Sequence, residues 1–360
     1  MSESPAGCDL IAEAGVNHNG REDLALALVE AAARSGADCV KFQTFDPDDL
    51  TSASAPTAAY QAEAGSGANQ KAMLEALVLP ADALRRVAKA AEAARIGFLS
   101  TPFDLASARF LVDELGMQRI KVGSGELTNL PLLLALARLG RPILLSTGMG
   151  AMDEVRRALG VIVFARLAGS HETPSLQAFD AAFGSPQAAP VLAGTVVLQC
   201  TTQYPAPHDQ ANLRVMDAYA ELGVQPGYSD HTMGIDIALA AAARGARVIE
   251  KHLTLSRDME GPDHKASLEP DEMIALAAGV RRITEALGSP VKRPQPAEIP
   301  NMAVARRVLI AARPIRAGET FTPDNLAAKR AGIGMDPGLY WSLLGQQAAH
   351  DFAADEPIRP

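Results

Sequence analysis

The chain has 360 residues, and its 33 Lys+Arg against 42 Asp+Glu give 33 − 42 = −9 at pH 7. That acidic balance, without a basic cluster, argues against nucleic acid as the main partner, and any anionic substrate must be held by local charge. With 48% hydrophobic, 21% charged and 4% aromatic residues, this is an ordinary globular composition with a core of Ala, Leu, Val and Ile, long enough for about two domains.

Short β-branched runs occur at 8–15 (CDLIAEAG), 39–45 (CVKFQTF), 98–103 (FLSTPF), 119–125 (RIKVGSG), 142–148 (PILLSTG), 196–202 (VVLQCTT), 225–231 (QPGYSDH) and 247–255 (RVIEKHLTL). Between them lie Ala/Leu-rich stretches with helical spacing, such as 21–36, 81–97 and 234–246, several ending at a glycine suited to a left-handed cap. Eight strands each followed by a helix is the count of a (β/α)8 TIM barrel, which defines the α/β fold class expected over 1–288. A doubly wound sheet is the alternative, but it would normally show a Gly-rich phosphate turn after its first strand, where this chain has GVNHNG. The stretch 165–190, rich in Ala, Ser and Pro, reads as a surface insertion. A Pro-rich linker is expected at 289–301 after the last helix (270–288), and then a small, mostly β module at 302–360 whose own core is marginal for its size.

No run approaches ~18 apolar residues, and MSESPAGCDL lacks the regions of a signal peptide, so no membrane partner and a cytoplasmic location are expected. Cys8, Cys39 and Cys200 are odd in number and lie in apolar runs, which reads as buried free thiols in a reducing compartment. Met73, Met149, Met152 and Met233 form no stripe and read as packing residues.

Barrel chemistry gathers at the C-terminal ends of the strands. All eight ends are polar here: Glu13; Lys41 and Gln43; Ser100 and Thr101; Lys121, Ser124 and Glu126; Ser146 and Thr147; Thr202 and Tyr204; Ser229, Asp230 and His231; Glu250, Lys251 and His252. Lys41 and Lys121 sit inside apolar runs at the same strand position. Burying two ammonium groups costs several kcal/mol unless an anion offsets it, so the pair points to a phosphate or carboxylate ligand, with Ser124 and Ser146 beside it. His231 and His252 end neighbouring strands and suit a divalent cation such as Mn²⁺, flanked by Asp230 and Glu250 as supporting partners. Strand alternation puts Lys41 and Gln43 on one face, and Glu250 with His252 on another. His18 is carried on a loop, with site and turn roles both open.

The motifs IAEAGVNHNG, VKFQTF, STPFD, KVGSGELTNLP, LLSTGM, GYSDHTMGI, VIEKHLTL and GPDHKASLEP, in this order, resemble the sialic acid synthase family, and the tail resembles its antifreeze-like (SAF) domain. The resemblance implies an enzyme that condenses phosphoenolpyruvate with an N-acylated mannosamine-type aldose, giving a nine-carbon 2-keto acid and phosphate, with Mn²⁺ or another divalent cation such as Mg²⁺ or Co²⁺. It implies metal ligation by His231 and His252, and phosphate contacts from Lys41, Lys121, Ser146 and Thr101. Ser124 and Ser229 match carboxylate contacts, while Glu13, Gln43, Tyr204 and Asp263 match positions near the sugar and the reacting carbons, with Glu126 close by. It also implies a domain-swapped homodimer in which Arg330 serves the partner's sugar site. Ala331, RRVL at 306–309, Gln199 and Thr202 depart from common family residues, and the CTTxYPAP form with GPDHKASLEP looks closer to legionaminic than to N-acetylneuraminate synthases. The competing readings are a heptulosonate- or octulosonate-phosphate synthase, which needs a second basic pair, and a non-catalytic carbohydrate-binding scaffold, which would leave strand ends bland.

Overall fold

The computed structural model describes residues 7–52, 70–169 and 172–359. Residues 1–6 of the leader stretch and 170–171 of the expected insertion lie outside the described residues. Eight strands form one parallel sheet: β1 (Asp9–Gly15), β2 (Cys39–Thr44), β3 (Gly97–Pro102), β4 (Ile120–Val122), β5 (Ile143–Ser146), β6 (Val196–Cys200), β7 (Gln225–Asp230) and β8 (Val248–His252). β1 pairs with both β2 and β8, which rules out a doubly wound order and curls the sheet into a TIM-type barrel. β3 and β4 lie side by side at the seam without a hydrogen-bonded ladder, and the Ser100 N–H instead reaches the Met117 sulfur at 3.4 Å.

Strands sandwiched between a barrel interior and a helical layer must be apolar on their outward face. Leu10, Ala12, Val40 and Phe42 accordingly pack with the helices Glu22–Ser35, Asp236–Ala243 and Pro270–Leu287. The first of these helices ends as its sequence predicts, with Gly36 at φ 79°. The helix expected over 81–97 stops at Ala93. Arg95 takes the left-handed conformation there (φ 58°), and Gly97 opens β3, where a Cβ would come 3.0 Å from the Asp38 carbonyl.

The 165–190 stretch is not a bare surface insertion. It carries helices Leu176–Phe183 and Ala188–Ala193, which pack on Met152–Leu167. Phe179 meets Phe164 edge-on, with ring centroids 5.3 Å apart, and Gly160 is required for this approach because a Cβ there would lie 2.7 Å from the Phe179 carbonyl oxygen. Among the described residues no helix is long and apolar enough to cross a membrane.

The chain divides into compact units Met1–Gly288 and Ser289–Pro360. In the second, β9 (Val308–Ala311) pairs antiparallel with β10 (Leu326–Lys329), and single bridges such as Ile315↔Phe352 replace longer ladders. Leu309, Ile315, Phe321, Leu326, Phe352 and Ile358 give this module its own core. A helix, Ile299–Ala305, takes up the end of the Pro-rich stretch, with Pro300 in its first turn, where a missing N–H costs nothing.

Candidate active site

Inward-facing positions at the strand ends converge on one cavity of about 390 Å³. Fifteen expected site residues line it together: Glu13, Lys41, Gln43, Thr101, Lys121, Ser124, Glu126, Ser146, Thr202, Tyr204, Ser229, His231, Glu250, His252 and Asp263. The sixteenth, Arg330, belongs to the second unit and is exposed just beyond β10.

Register dictates the charge arrangement at the cavity base. Glu13 is directly opposite Lys41 on one side and His252 on the other, and Ser229 is opposite Glu250. The Lys41 ammonium lies 2.7 Å from Glu13 and 3.6 Å from Glu250, and donates to Thr101 Oγ1 at 3.2 Å. Lys121 is 3.5 Å from Glu250, which also accepts the Ser229 hydroxyl at 2.8 Å. All four charged groups are buried. Two ammonium groups are thus balanced by two carboxylates, a partner set the sequence reading left to an incoming anion alone.

The four groups are unequal. Burial and the Glu250 charge lift the Glu13 carboxyl well above the usual range against the pull of Lys41. Burial also opposes ionisation of Glu250, but Lys121 and Lys41 outweigh it and hold that carboxyl low. Burial pushes Lys121 down beyond what Glu250 returns, whereas Lys41, against the same burial, is raised by Glu13 and Glu250.

The imidazoles of His231 and His252 meet edge-on with centroids 5.4 Å apart, and Tyr204 packs at 4.2 Å from the first and edge-on at 5.5 Å from the second. Burial lowers the His231 pKa to about 4 and that of His252 well below its usual value, so both rings are neutral at pH 7. His231 Nδ1 donates to the Thr201 carbonyl at 2.7 Å, which leaves its Nε2 lone pair for a ligand, while the buried Nδ1 of His252 has no hydrogen-bond partner. These features fit a divalent cation on two neutral imidazoles. Among the described residues no group of three or more His, Cys, Asp and Glu side chains is arranged for a metal, so the remaining positions would fall to water and substrate.

Glu13, Gln43 and Asp263 converge over Gly15, within 3.3–3.6 Å of the point its Cβ would occupy, so the glycine at φ 53° keeps this corner open. On the opposite side, a Cβ at Gly148 would lie 2.1 Å from Thr202 Oγ1, 2.8 Å from Cys200 Sγ and 2.9 Å from Ser124 Oγ. The Gly148 N–H donates to Ser124 Oγ at 3.0 Å, and Ser146 Oγ is buried without a partner.

Several expectations change. Asp230 does not support the histidines directly: it points outward, to Lys251 at 2.8 Å and to the N–H and hydroxyl of Thr232. Thr147 binds Leu198 O and Tyr219 OH, and Ser100 binds Thr44, so both polar groups are structural. Met149 is 74% exposed at φ 66° and borders the cavity, and Met233 is 43% exposed, so neither is a packing residue. His18 is buried, with its pKa lowered to about 4 by burial, and its Nδ1 accepts the Gly20 N–H, a turn role. The cysteines are free and buried as expected, although Cys200 also lines the cavity.

The sequence reading missed an apolar wall. Val16, Phe45, Leu50, Met73, Leu74, Leu77 and Phe103 line the cavity beside Glu13 and Gln43. Its only signal is the helical spacing of Met73, Leu74 and Leu77 in the Gln70–Leu77 helix.

A (β/α)8 barrel whose mouth gathers two ammonium groups, two carboxylates and two neutral imidazoles, followed by a small β module, defines the class of the protein. The NeuB family matches residues 28–292 and the SAF domain residues 306–360. An N,N'-diacetyllegionaminic acid synthase of Campylobacter jejuni is 41% identical over 352 residues, 97% of this chain and 98% of that protein. One of Legionella pneumophila is 38% identical, over 96% of this chain and 92% of that protein. The solved N-acetylneuraminic acid synthetase of Leptospira borgpetersenii, in complex with citrate, covers 82% of this chain and 90% of that chain at 27% identity and a TM-score of 0.66. The chain belongs to the NeuB family, with a C-terminal SAF domain.

Proposed function

We infer that this chain condenses phosphoenolpyruvate with an N-acylated mannosamine-type aldose, giving a nine-carbon 2-keto acid and inorganic phosphate. The observation that carries this reading is the buried Lys41–Lys121 pair, compensated by Glu13 and Glu250, at the base of the cavity that presents the two neutral imidazoles. Lys41 and Lys121 hold the phosphate, with Thr101 and the partnerless Ser146 hydroxyl beside them, and Ser124 and Ser229 hold the carboxylate. Bound at His231 and His252, Mn²⁺, or Mg²⁺ or Co²⁺ in its place, supplies Lewis-acid polarisation of the aldehyde oxygen. C3 of phosphoenolpyruvate forms the new bond to the aldehyde carbon, whose oxygen takes up a proton by way of Glu13; a water oxygen adds at C2, and the C2–O bond breaks as the second water proton leaves with the phosphate. Glu13, with its raised pKa, takes the first proton lost by that water, and Gln43 and Asp263 orient the sugar across Gly15.

The apolar wall suits methyl groups, which supports a diacetamido sugar over N-acetylmannosamine. Among the described residues Lys41 and Lys121 are the only lysine or arginine side chains lining the cavity, which argues separately against a phosphorylated sugar. The names of the Campylobacter and Legionella relatives point the same way. Three buried free thiols fit a reducing cytoplasm. Exposed Arg330 serves the sugar site of a partner subunit in a domain-swapped homodimer. The test is phosphate release from phosphoenolpyruvate and Mn²⁺ with N-acetylmannosamine and with 2,4-diacetamido-2,4,6-trideoxymannose in parallel. Faster release with the second is expected, and none with either sugar overturns the reading.

A further inference from the structure

Among the described residues, Lys251 and Asp230 form a buried charge pair that the proposed chemistry leaves unused. Both side chains are 0% exposed and face away from the cavity, between the barrel and its helical layer. They sit opposite each other in the β7–β8 register, on the last rung of that ladder. One residue further along each strand stand His231 and His252, back on the inward face. No backbone pairing between β7 and β8 continues past that rung. Side chains make the connection instead: the Lys251 ammonium donates to Asp230 Oδ2 at 2.8 Å and to the Thr232 carbonyl at 2.5 Å. Asp230 Oδ1 in turn accepts the Thr232 N–H at 2.9 Å and its hydroxyl at 2.8 Å. One ammonium, carried next to His252, therefore grips the residues on both sides of His231.

We propose that Lys251 and Asp230 are positioning residues that set the separation of the two imidazoles and thereby the affinity of the site for its divalent cation. A purely structural pair has no need to bracket His231. Replacing a buried ion pair by uncharged groups of similar size is often neutral for stability, so the pair is not explained by stability alone. With only two protein ligands, affinity depends on their spacing more than in a site with three or four. The proposal rests on the two-histidine reading.

The experiment is Mn²⁺ titration of the full chain followed by electron paramagnetic resonance, with circular dichroism to verify folding. In the double variant Asp230→Asn/Lys251→Met the cap on Thr232 is retained but the tie to β8 is cut. The Mn²⁺ dissociation constant is expected to rise by about tenfold or more, the range found for groups that orient metal ligands. The phosphoenolpyruvate KM at saturating Mn²⁺ should stay unchanged, because Lys41 and Lys121 are untouched. A merely structural role would lower the folded fraction without moving the dissociation constant of the folded molecules. Asp230→Asn/Lys251→Leu, which again removes both charges and leaves no unpaired buried ammonium, is the second variant should the first not fold, with the same expected rise of about tenfold or more. Wild-type Mn²⁺ affinity in a folded variant overturns the proposal. His252→Ala is the separate control: wild-type affinity there overturns the two-histidine reading and, with it, this inference.

Discussion

Lys121 and Lys41 are both buried lysines at the base of the cavity, yet replacing each with Met should have opposite profiles. Lys41 has Glu13 at 2.7 Å, Glu250 at 3.6 Å and Thr101 at 3.2 Å, so its removal strands the Glu13 carboxylate in a dry site. Breaking a buried pair in this way costs about 3–5 kcal/mol of folding stability. Lys121 has only Glu250, at 3.5 Å, plus a long contact to the Val122 carbonyl, and its lowered pKa shows that burial outweighs what Glu250 returns. After Lys121→Met, Glu250 keeps Lys41 and Ser229. The stability change should therefore stay below about 1 kcal/mol in either direction, because an uncompensated burial cost goes with the lost ion pair. Turnover should not be spared. A charge-assisted contact to the phosphate is worth about 1.5–3 kcal/mol, which at 1.4 kcal/mol per decade is a fall of about 10- to 150-fold in kcat/KM for phosphoenolpyruvate. Urea unfolding and a phosphate-release assay on both variants measure the two effects. The reasoning fails if Lys121→Met proves the more destabilising of the pair, or if it keeps wild-type kcat/KM.

Two further outcomes are expected. Gly148→Ala places a methyl group 2.1 Å from Thr202 Oγ1 and 2.9 Å from Ser124 Oγ, displacing the cradle around Ser124, and should lower kcat/KM by about 10²-fold with folding retained by circular dichroism. Mixing Arg330→Ala with His252→Ala subunits should restore about a quarter of the wild-type active sites, since random pairing makes half the dimers mixed, each with one intact site. No recovery of phosphate release after verified subunit exchange would show that Arg330 acts only within its own chain.

The strand ends were legible because two signals coincide there. Apolar runs mark buried strands, and a charged residue inside such a run needs a reason. Alternation placed Lys41 with Gln43 and Glu250 with His252, and all four do line the cavity. The same parity puts Asp230 and Lys251 outward, but their pairing with each other depends on cross-strand register, which composition and spacing do not encode. The apolar wall was hidden because Gln70–Leu77 lies outside the barrel strands, where an amphipathic helix looks like packing. Phe179 was hidden by its neighbours: with Phe183 it is one of two aromatics in a stretch of Ala, Ser and Pro, too little periodic signal to mark a helix pair, yet it anchors one. Met149 shows the converse. Its exposure follows from a left-handed turn before Gly150, whose own Cβ would lie 2.2 Å from Leu127, and such turn geometry leaves no mark on hydrophobicity.

The seam between β3 and β4 has a mechanical meaning. Thr101, with Lys41 bonded to it, stands on one bank, and Lys121 with Ser124 on the other, while no backbone hydrogen bond ties the banks together along the strands. On the proposed function, a phosphate held by Lys41 and Lys121 would span both banks and couple them where the backbone does not. A ligand that binds only the assembled barrel raises the stability of that assembly with its concentration relative to its dissociation constant. The most weakly stitched part of the wall thus lies where the substrate's strongest charges would land.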